Sequence, residues 1–245
     1  MKFVQIPGNP LNAEKVLVAQ NAPQGVLEGL KKLNIEPVLG MATHFEVEAV
    51  RCHVDTQIVH VGGNRFVVMP QLLNYYKWVM PGAELIPGQK KGQGSYPDDA
   101  AYNIANTGKF AICNTKYADA VALHEMDAEV INVAQGYAKC AICIVDENSV
   151  ITEDEGIARQ LERYNIDVLK ISVGDVSLSG MDYGFLGGAS GKLSKDILAF
   201  AGDITTHRDF EDIARFCQSK NVKPISLCEG ALADIGSIIP IIEKE

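Results

Sequence analysis

The sequence predicts an α/β fold built as a ring of five repeated units. Three observations carry that reading. A short apolar run, an amphipathic helical stretch and a second apolar run recur in that order five times. The repeats fill nearly the whole chain. A further strand-like run precedes four of the five. The opening runs begin at residues 16, 66, 110, 150 and 198, spaced by 50, 44, 40 and 48 residues. A period of this size marks a repeat architecture rather than an ordinary open sheet.

Each element follows from its residues. The opening strands are Val16–Ala19, Phe66–Met69, Phe110–Cys113, Val150–Thr152 and Leu198–Ala201. The closing strands are Ile35–Leu39, Ala83–Ile86, Ala128–Ile131, Ile166–Leu169 and Val222–Ile225. Between them, Val26, Leu30 and Leu33 share one helix face, as do Ile157, Leu161 and Tyr164, and Phe210, Ile213 and Cys217. Asn34, Asn165 and Asn221 sit where those helices stop, and Asn tolerates the left-handed conformation that ends a helix. Leading strands are expected at 53–59, 102–106, 137–144 and 184–190. Gly62-Gly63-Asn64, Thr107-Gly108, Asp146-Glu147-Asn148 and Lys195-Asp196 are the hairpin turns. For the first unit, Phe3–Ile6, Leu232–Ile242 or both supply the partner; using both joins the chain ends and closes the ring. The loop from Pro87 to Asp99 reads as a lid or a plain surface insertion.

Composition narrows the function. The chain has 245 residues, 47% hydrophobic and 22% charged, with a net charge of −9. We read it as one domain, 1–245, able to bury a good core. An acidic balance argues against nucleic acid or an anionic membrane as partner. No stretch approaches a membrane span, and the N-terminus does not read as a signal peptide. Six scattered cysteines suit a reduced, cytoplasmic protein. A small molecule is the expected ligand, and a homo-oligomer is left open.

The five-unit pattern, His53-Val54-Asp55-Thr56 and the run Gly184–Gly191 together resemble the guanidino-group-modifying superfamily of pentein, or α/β-propeller, proteins. More narrowly the chain resembles a bacterial family of that fold, in which stretches like Asn132–Tyr137, Gly184–Gly191 and Asp234–Pro240 recur. The resemblance implies a pentein-type α/β-propeller of five pseudo-symmetric ββαβ units, whose inner strands line a central pit. It implies a hydrolase or amidinotransferase acting on an arginine-like molecule through a cysteine thiolate, with no cofactor.

Counting back from the opening strands places residues around that pit. Eleven before Phe66, Val150 and Leu198 are Asp55, Lys139 and Gly187; seven before Phe110, in a shorter hairpin, is Asn103. Buried polar groups there must satisfy one another or face a ligand. The resemblance gives His53 the proton transfer and Asp55 the grip on the guanidinium, which a carboxylate meets with two acceptors. On a strand, His53 and Asp55 would share one face. The superfamily's nucleophile follows a Gly-Gly run and a His, but Gly187-Gly188-Ala189-Ser190-Gly191 holds neither cysteine nor histidine.

Cys140 is therefore the expected nucleophile, its thiolate favoured by Lys139, with Cys228 second. A buried apolar role for Cys140 stands beside that reading. Lys139 itself suits a carboxylate or phosphate better than a guanidinium. Gly187, Gly188, Ser190, Cys228 and Asp234 are the remaining pocket candidates. The glycines do not form a phosphate loop, because positions 186 and 193 are leucines. His44, His60, His124 and His207 are expected at the surface or in caps. No metal is expected, since a His-x-Asp pair offers two ligands and zinc takes three or four. Two other functions remain open: a binding protein that keeps the pit without a nucleophile, and an interaction factor using the rim.

Overall fold

The computed structural model describes residues 2–92 and 94–244. Within the Pro87–Asp99 loop, Gln93 lies outside them. The chain runs β1 (Lys2–Phe3), β2 (Ala13–Val18), α1 (Gln24–Lys32), β3 (Glu36–Leu39), β4 (Ile58–Gly62), β5 (Arg65–Val68), α2 (Leu73–Val79) and β6 (Glu84–Pro87). It continues with β7 (Ala105–Asn106), β8 (Phe110–Cys113), α3 (Ala120–Glu125), β9 (Glu129–Asn132), α4 (Ala138–Ala141), β10 (Ile142–Asp146), β11 (Ser149–Thr152), α5 (Glu155–Glu162) and β12 (Asp167–Lys170). The last elements are β13 (Val176–Ser177), β14 (Ser190–Ser194), β15 (Ile197–Phe200), α6 (Phe210–Ser219), β16 (Lys223–Ser226), β17 (Leu232–Ala233) and β18 (Ile239–Glu243).

These strands make a mixed α/β structure of small sheets. Four are three-stranded, in the orders β4-β5-β6, β7-β8-β9, β10-β11-β12 and β14-β15-β16. A fourth strand joins in β1-β18-β2-β3, and β13 pairs with β17 alone. In each larger sheet an antiparallel pair is followed by a helix and a parallel outer strand. Arg65 faces Glu84, Phe110 faces Glu129, Ser149 faces Asp167, Ile197 faces Lys223, and Lys15 faces Glu36. The middle strands β8 and β11 are buried throughout, as continuous apolar runs should be. The outer strands are four residues long and open on a charged residue, which blunts an exposed edge. The C-terminal strand β18, not the N-terminal one, pairs with β2, and β1 adds outside it.

Helix ends follow the sequence reading. Asn34, Asn165 and Asn221 have φ of +58°, +56° and +56°. Asp119 and Asp154 cap α3 and α5 by accepting from Val121 N and Ile157 N. Ile157 and Leu161 then pack into a cluster with Val150 and Ile166. All six cysteines are free, with Cys113, Cys140, Cys143 and Cys217 buried. Among the described residues, no helix is long and apolar enough to cross a membrane.

Two expectations need correction. The leading strands start later than the sequence suggested. Val54–Thr56 is a 3-10 turn, Ala138–Ala141 is a helical turn, and strand pairing begins only at Ile58, Ala105, Ile142 and Ser190. Local bonds hold the turns: Thr56 Oγ1 donates to the His53 carbonyl at 2.7 Å, and Ala189 N donates to Phe185 O at 3.1 Å. His53 and Asp55 therefore do not share a strand face. Nor are all the remaining histidines superficial. His60 is buried, stacked on Phe66 and bonded through Nε2 to Gly63 O at 2.8 Å; His207 is buried and accepts from Asp209 N.

Candidate active site

The turns that displaced the leading strands deliver the polar residues to one place. The turn before β4 brings His53 and Asp55, the approach to β7 brings Asn103, and α4 brings Lys139 and Cys140. The segment before β14 brings Gly187 and Gly188, and that between β17 and β18 brings Asp234 and Ser237. The five polar side chains other than Lys139 and Cys140, together with that thiol, are all at most 6% exposed.

Their hydrogen bonds form one connected layer. Asp55 Oδ2 accepts from Ser237 Oγ at 2.6 Å and from Cys140 Sγ at 3.2 Å. Asn103 Nδ2 lies 3.2 Å from Cys140 Sγ and 3.4 Å from the Asp55 carbonyl, while its Oδ1 accepts from Lys139 N and Cys140 N at 2.6 and 3.2 Å. Lys139 Nζ donates to Ser237 Oγ at 2.9 Å and to Gly187 O at 3.5 Å. Ser190 Oγ also donates to Gly187 O, at 3.2 Å. Asp234 accepts from Gly236 N and Phe185 N, each at 3.0 Å, and its Oδ1 stands 3.8 Å from His53 Nε2. His53 Nδ1 and Asp55 Oδ1 are buried without a partner.

Backbone packs closely around this layer. A Cβ on Gly187 would come within 2.4 Å of Ile142 O, and one on Gly188 within 2.0 Å of Asp234 Oδ1. Gly236, at φ +69°, leaves 2.4 Å between its missing Cβ and His53 Cα. Ser237 holds a left-handed φ of +75°, a strained conformation for a residue with a side chain.

The layer separates two openings. A cleft of about 300 Å³ reaches His53, Cys140 and Asp234 between walls that include Val47, Tyr137, Leu178, Met181, Tyr183 and Phe185. On the other side a small chamber of about 50 Å³ is lined by Asp55, Lys139, Ser190, His60 and Lys192. Lys139 therefore borders the chamber, not the cleft. At the cleft wall, Tyr137 OH donates to the buried Asp99 at 2.7 Å.

The electrostatics correct one expectation about the thiol. Burial pushes the Cys140 thiol well above its usual range, and the carboxylates of Asp55 and Asp234 push it further. The neighbouring Lys139 does not hold it as a thiolate. At rest Cys140 is a thiol that donates to Asp55. Burial also raises Asp234, chiefly by desolvation, with His53 acting in the opposite sense.

Of the sequence candidates, Cys140, His53, Asp55, Asn103, Lys139, Gly187, Gly188 and Asp234 meet here, and Ser190 touches Gly187. Cys228 does not. It is half-buried against Gly25 of α1, whose missing Cβ would lie 2.9 Å from its own Cβ. The reading that no third metal ligand lies near His53 and Asp55 is also corrected, because one ligand atom from each of His53, Asp55 and Cys140 falls within 4.8 Å of the others. Ser237, Tyr137 and the buried Glu153 were not singled out. The sequence signals for Ser237 were its place in the recurring stretch Asp234–Pro240 and its being a polar step inside an apolar run.

A family model described as "Family of unknown function (DUF6873)" matches residues 17–239. No curated protein matches the chain in sequence. Among solved structures, the inosamine-phosphate amidinotransferase of Streptomyces griseus is similar at a TM-score of 0.58 and 10% identity, over 100% of this chain and 98% of that one. The amidinotransferase SxtG of Microseira wollei, from the saxitoxin biosynthetic pathway, gives 0.55 and 12% identity over 92% and 91%. The agmatine deiminase of C. jejuni gives 0.52 and 11% over 93% and 91%. The chain shares the pentein fold of these guanidino-group-modifying enzymes.

Proposed function

The chain belongs to the Family of unknown function (DUF6873), and from that footing we propose that it is a diverged guanidino-group-modifying enzyme, hydrolase or amidinotransferase, on a ring of five ββαβ units. One observation carries the reading: Cys140, His53 and Asp234 line a cleft that, among the described residues, no lysine or arginine lines, and Asp55 bonds that cysteine from behind. A planar guanidinium bound there places its N–H groups against Asp234, with Asp55 just behind Cys140, and its charge offsets the two carboxylates that raise the Cys140 thiol. His53 takes the thiol proton, directly or by way of Asp55 Oδ2. The thiolate then attacks the guanidino carbon, a C–S bond forms, the C–N bond breaks, and His53 returns a proton to the departing amine. Water or an acceptor amine releases the amidino-thioether. Asn103 and Ser237 position Cys140 and Asp55, and Lys139 holds the layer from behind.

Intact-mass analysis after incubation with chloroacetamidine tests this. One adduct on Cys140, suppressed by an excess of a guanidino compound, supports the enzyme. Adducts confined to the half-buried Cys52 and Cys228, or none at all, overturn it. They favour instead a small-molecule-binding pentein protein without a nucleophile, a reading that the raised thiol of Cys140 and the absent cysteine after Gly188 already support.

A further inference from the structure

We propose that His53, Asp55 and Cys140 form a transition-metal site for zinc, with its fourth position open to the cleft. Three observations point there independently of any guanidino chemistry. The first is the donor set. A thiol, an imidazole and a carboxylate are ligands zinc takes, and three protein ligands plus an open position is the pattern of a reactive zinc site. Their ligand atoms lie within 4.8 Å of one another, whereas tetrahedral zinc sets such edges at about 3.3–3.6 Å. Cys140 Sγ is 3.2 Å from Asp55 Oδ2, and the stranded Oδ1 is the other oxygen of that same carboxylate. Closing the other edges takes a shift of about 1 Å.

The second observation is that two of the donors are stranded. His53 Nδ1 and Asp55 Oδ1 are buried with no hydrogen-bond partner, and such groups are costly to leave unsatisfied. A bound cation satisfies both at once. The third is the outer support. Asp234 Oδ1 stands 3.8 Å from His53 Nε2, on the opposite ring nitrogen from the stranded one; a small shift would make the hydrogen bond by which a carboxylate orients a ligating histidine. Ser237 anchors the other oxygen of Asp55, and Asn103 lies against Cys140 Sγ.

The ion takes Cys140 as thiolate, its proton passing to solvent. The same sulfur then cannot attack a guanidino carbon. Zinc and covalent trapping exclude each other, so the site is a means by which metal silences the cleft.

The test uses the full chain, chelator-stripped, in a Cys52→Ser/Cys228→Ser background that removes the two half-buried thiols away from the site. Cobalt(II) is titrated first, then displaced with zinc. The expected result is one cobalt per chain with a thiolate-to-cobalt charge-transfer band, displaced by one zinc. That band is lost in Cys140→Ser and in His53→Gln. In Asp234→Asn the affinity falls about 10–100-fold. Circular dichroism of each stripped variant establishes that it is folded. Absence of the band, or a band unchanged in folded Cys140→Ser and His53→Gln, overturns the proposal. Chloroacetamidine labelling of the stripped protein reads the enzyme hypothesis separately: labelling without cobalt binding sinks the metal site alone, and labelling blocked by zinc supports it.

Discussion

Replacing Gly188 by alanine tests how tightly the polar layer is packed. The added Cβ would stand 2.0 Å from Asp234 Oδ1 and 2.4 Å from its Cγ, so the carboxylate must leave its place. Asp234 then gives up its bonds from Gly236 N and Phe185 N. Hydrogen bonds to a charged group contribute about 1.5–3 kcal/mol each, so the loss is about 3–6 kcal/mol. Against that, Gly→Ala at a backbone conformation alanine tolerates returns about 0.4–1 kcal/mol through the unfolded chain. The net destabilisation is about 2–5 kcal/mol, or a melting temperature lowered by roughly 5–20 °C in a chain of this size. The assay is thermal unfolding followed by circular dichroism. Gly156→Ala in α5 is the control, since that glycine is exposed and its nearest contact is Asp154 Oδ1 at 3.1 Å. It should leave the melting temperature unchanged or raise it. If Gly188→Ala melts within about 2 °C of the wild type, the wedge between Gly188 and Asp234 does not exist and the layer is looser than described.

Asp55→Asn should weaken guanidinium binding more than tenfold by calorimetry and speed alkylation of Cys140, because one of the charges raising the thiol is gone. A large drop in melting temperature with no change in alkylation would instead mark Asp55 as a structural plug. Glu153 keeps its proton up to about 8 when folded, against 4.5 for the free group. Between those values the folded chain binds more protons than the unfolded one, so this group lowers stability as pH rises. Glu153→Gln should therefore gain on the wild type with rising pH, by on the order of 1–4 kcal/mol near the top of the interval, and denaturant titrations at several pH values measure it. A gain independent of pH would refute the assignment. Ser237→Ala should lose about 1–3 kcal/mol by leaving Asp55 and Lys139 short of a partner. Ser237→Gly, free of the strain at φ +75°, should be about 1 kcal/mol more stable than Ser237→Ala, and equal stability of the two would argue against that strain.

The sequence by itself determined the repeated element order, the helix stops at Asn34, Asn165 and Asn221, and the hairpin turns. Each depends on neighbours within a few residues: apolar periodicity, left-handed tolerance and turn chemistry act locally. Counting positions between repeats also drew Asp55, Asn103, Lys139 and Gly187 together, because equivalent places in a repeat converge when the repeats do. Local pattern could not show that the residues before each leading strand coil into turns. Their hydrogen bonds to nearby backbone outcompeted sheet pairing. It could not show which side of the layer Lys139 faces, nor that Cys228 packs against α1, nor that Ser237 reaches Asp55 from the far end of the chain. The state of the Cys140 thiol was decided last of all. It depends on burial and on carboxylates distant in sequence, and only the packed structure sets the distances over which those charges act.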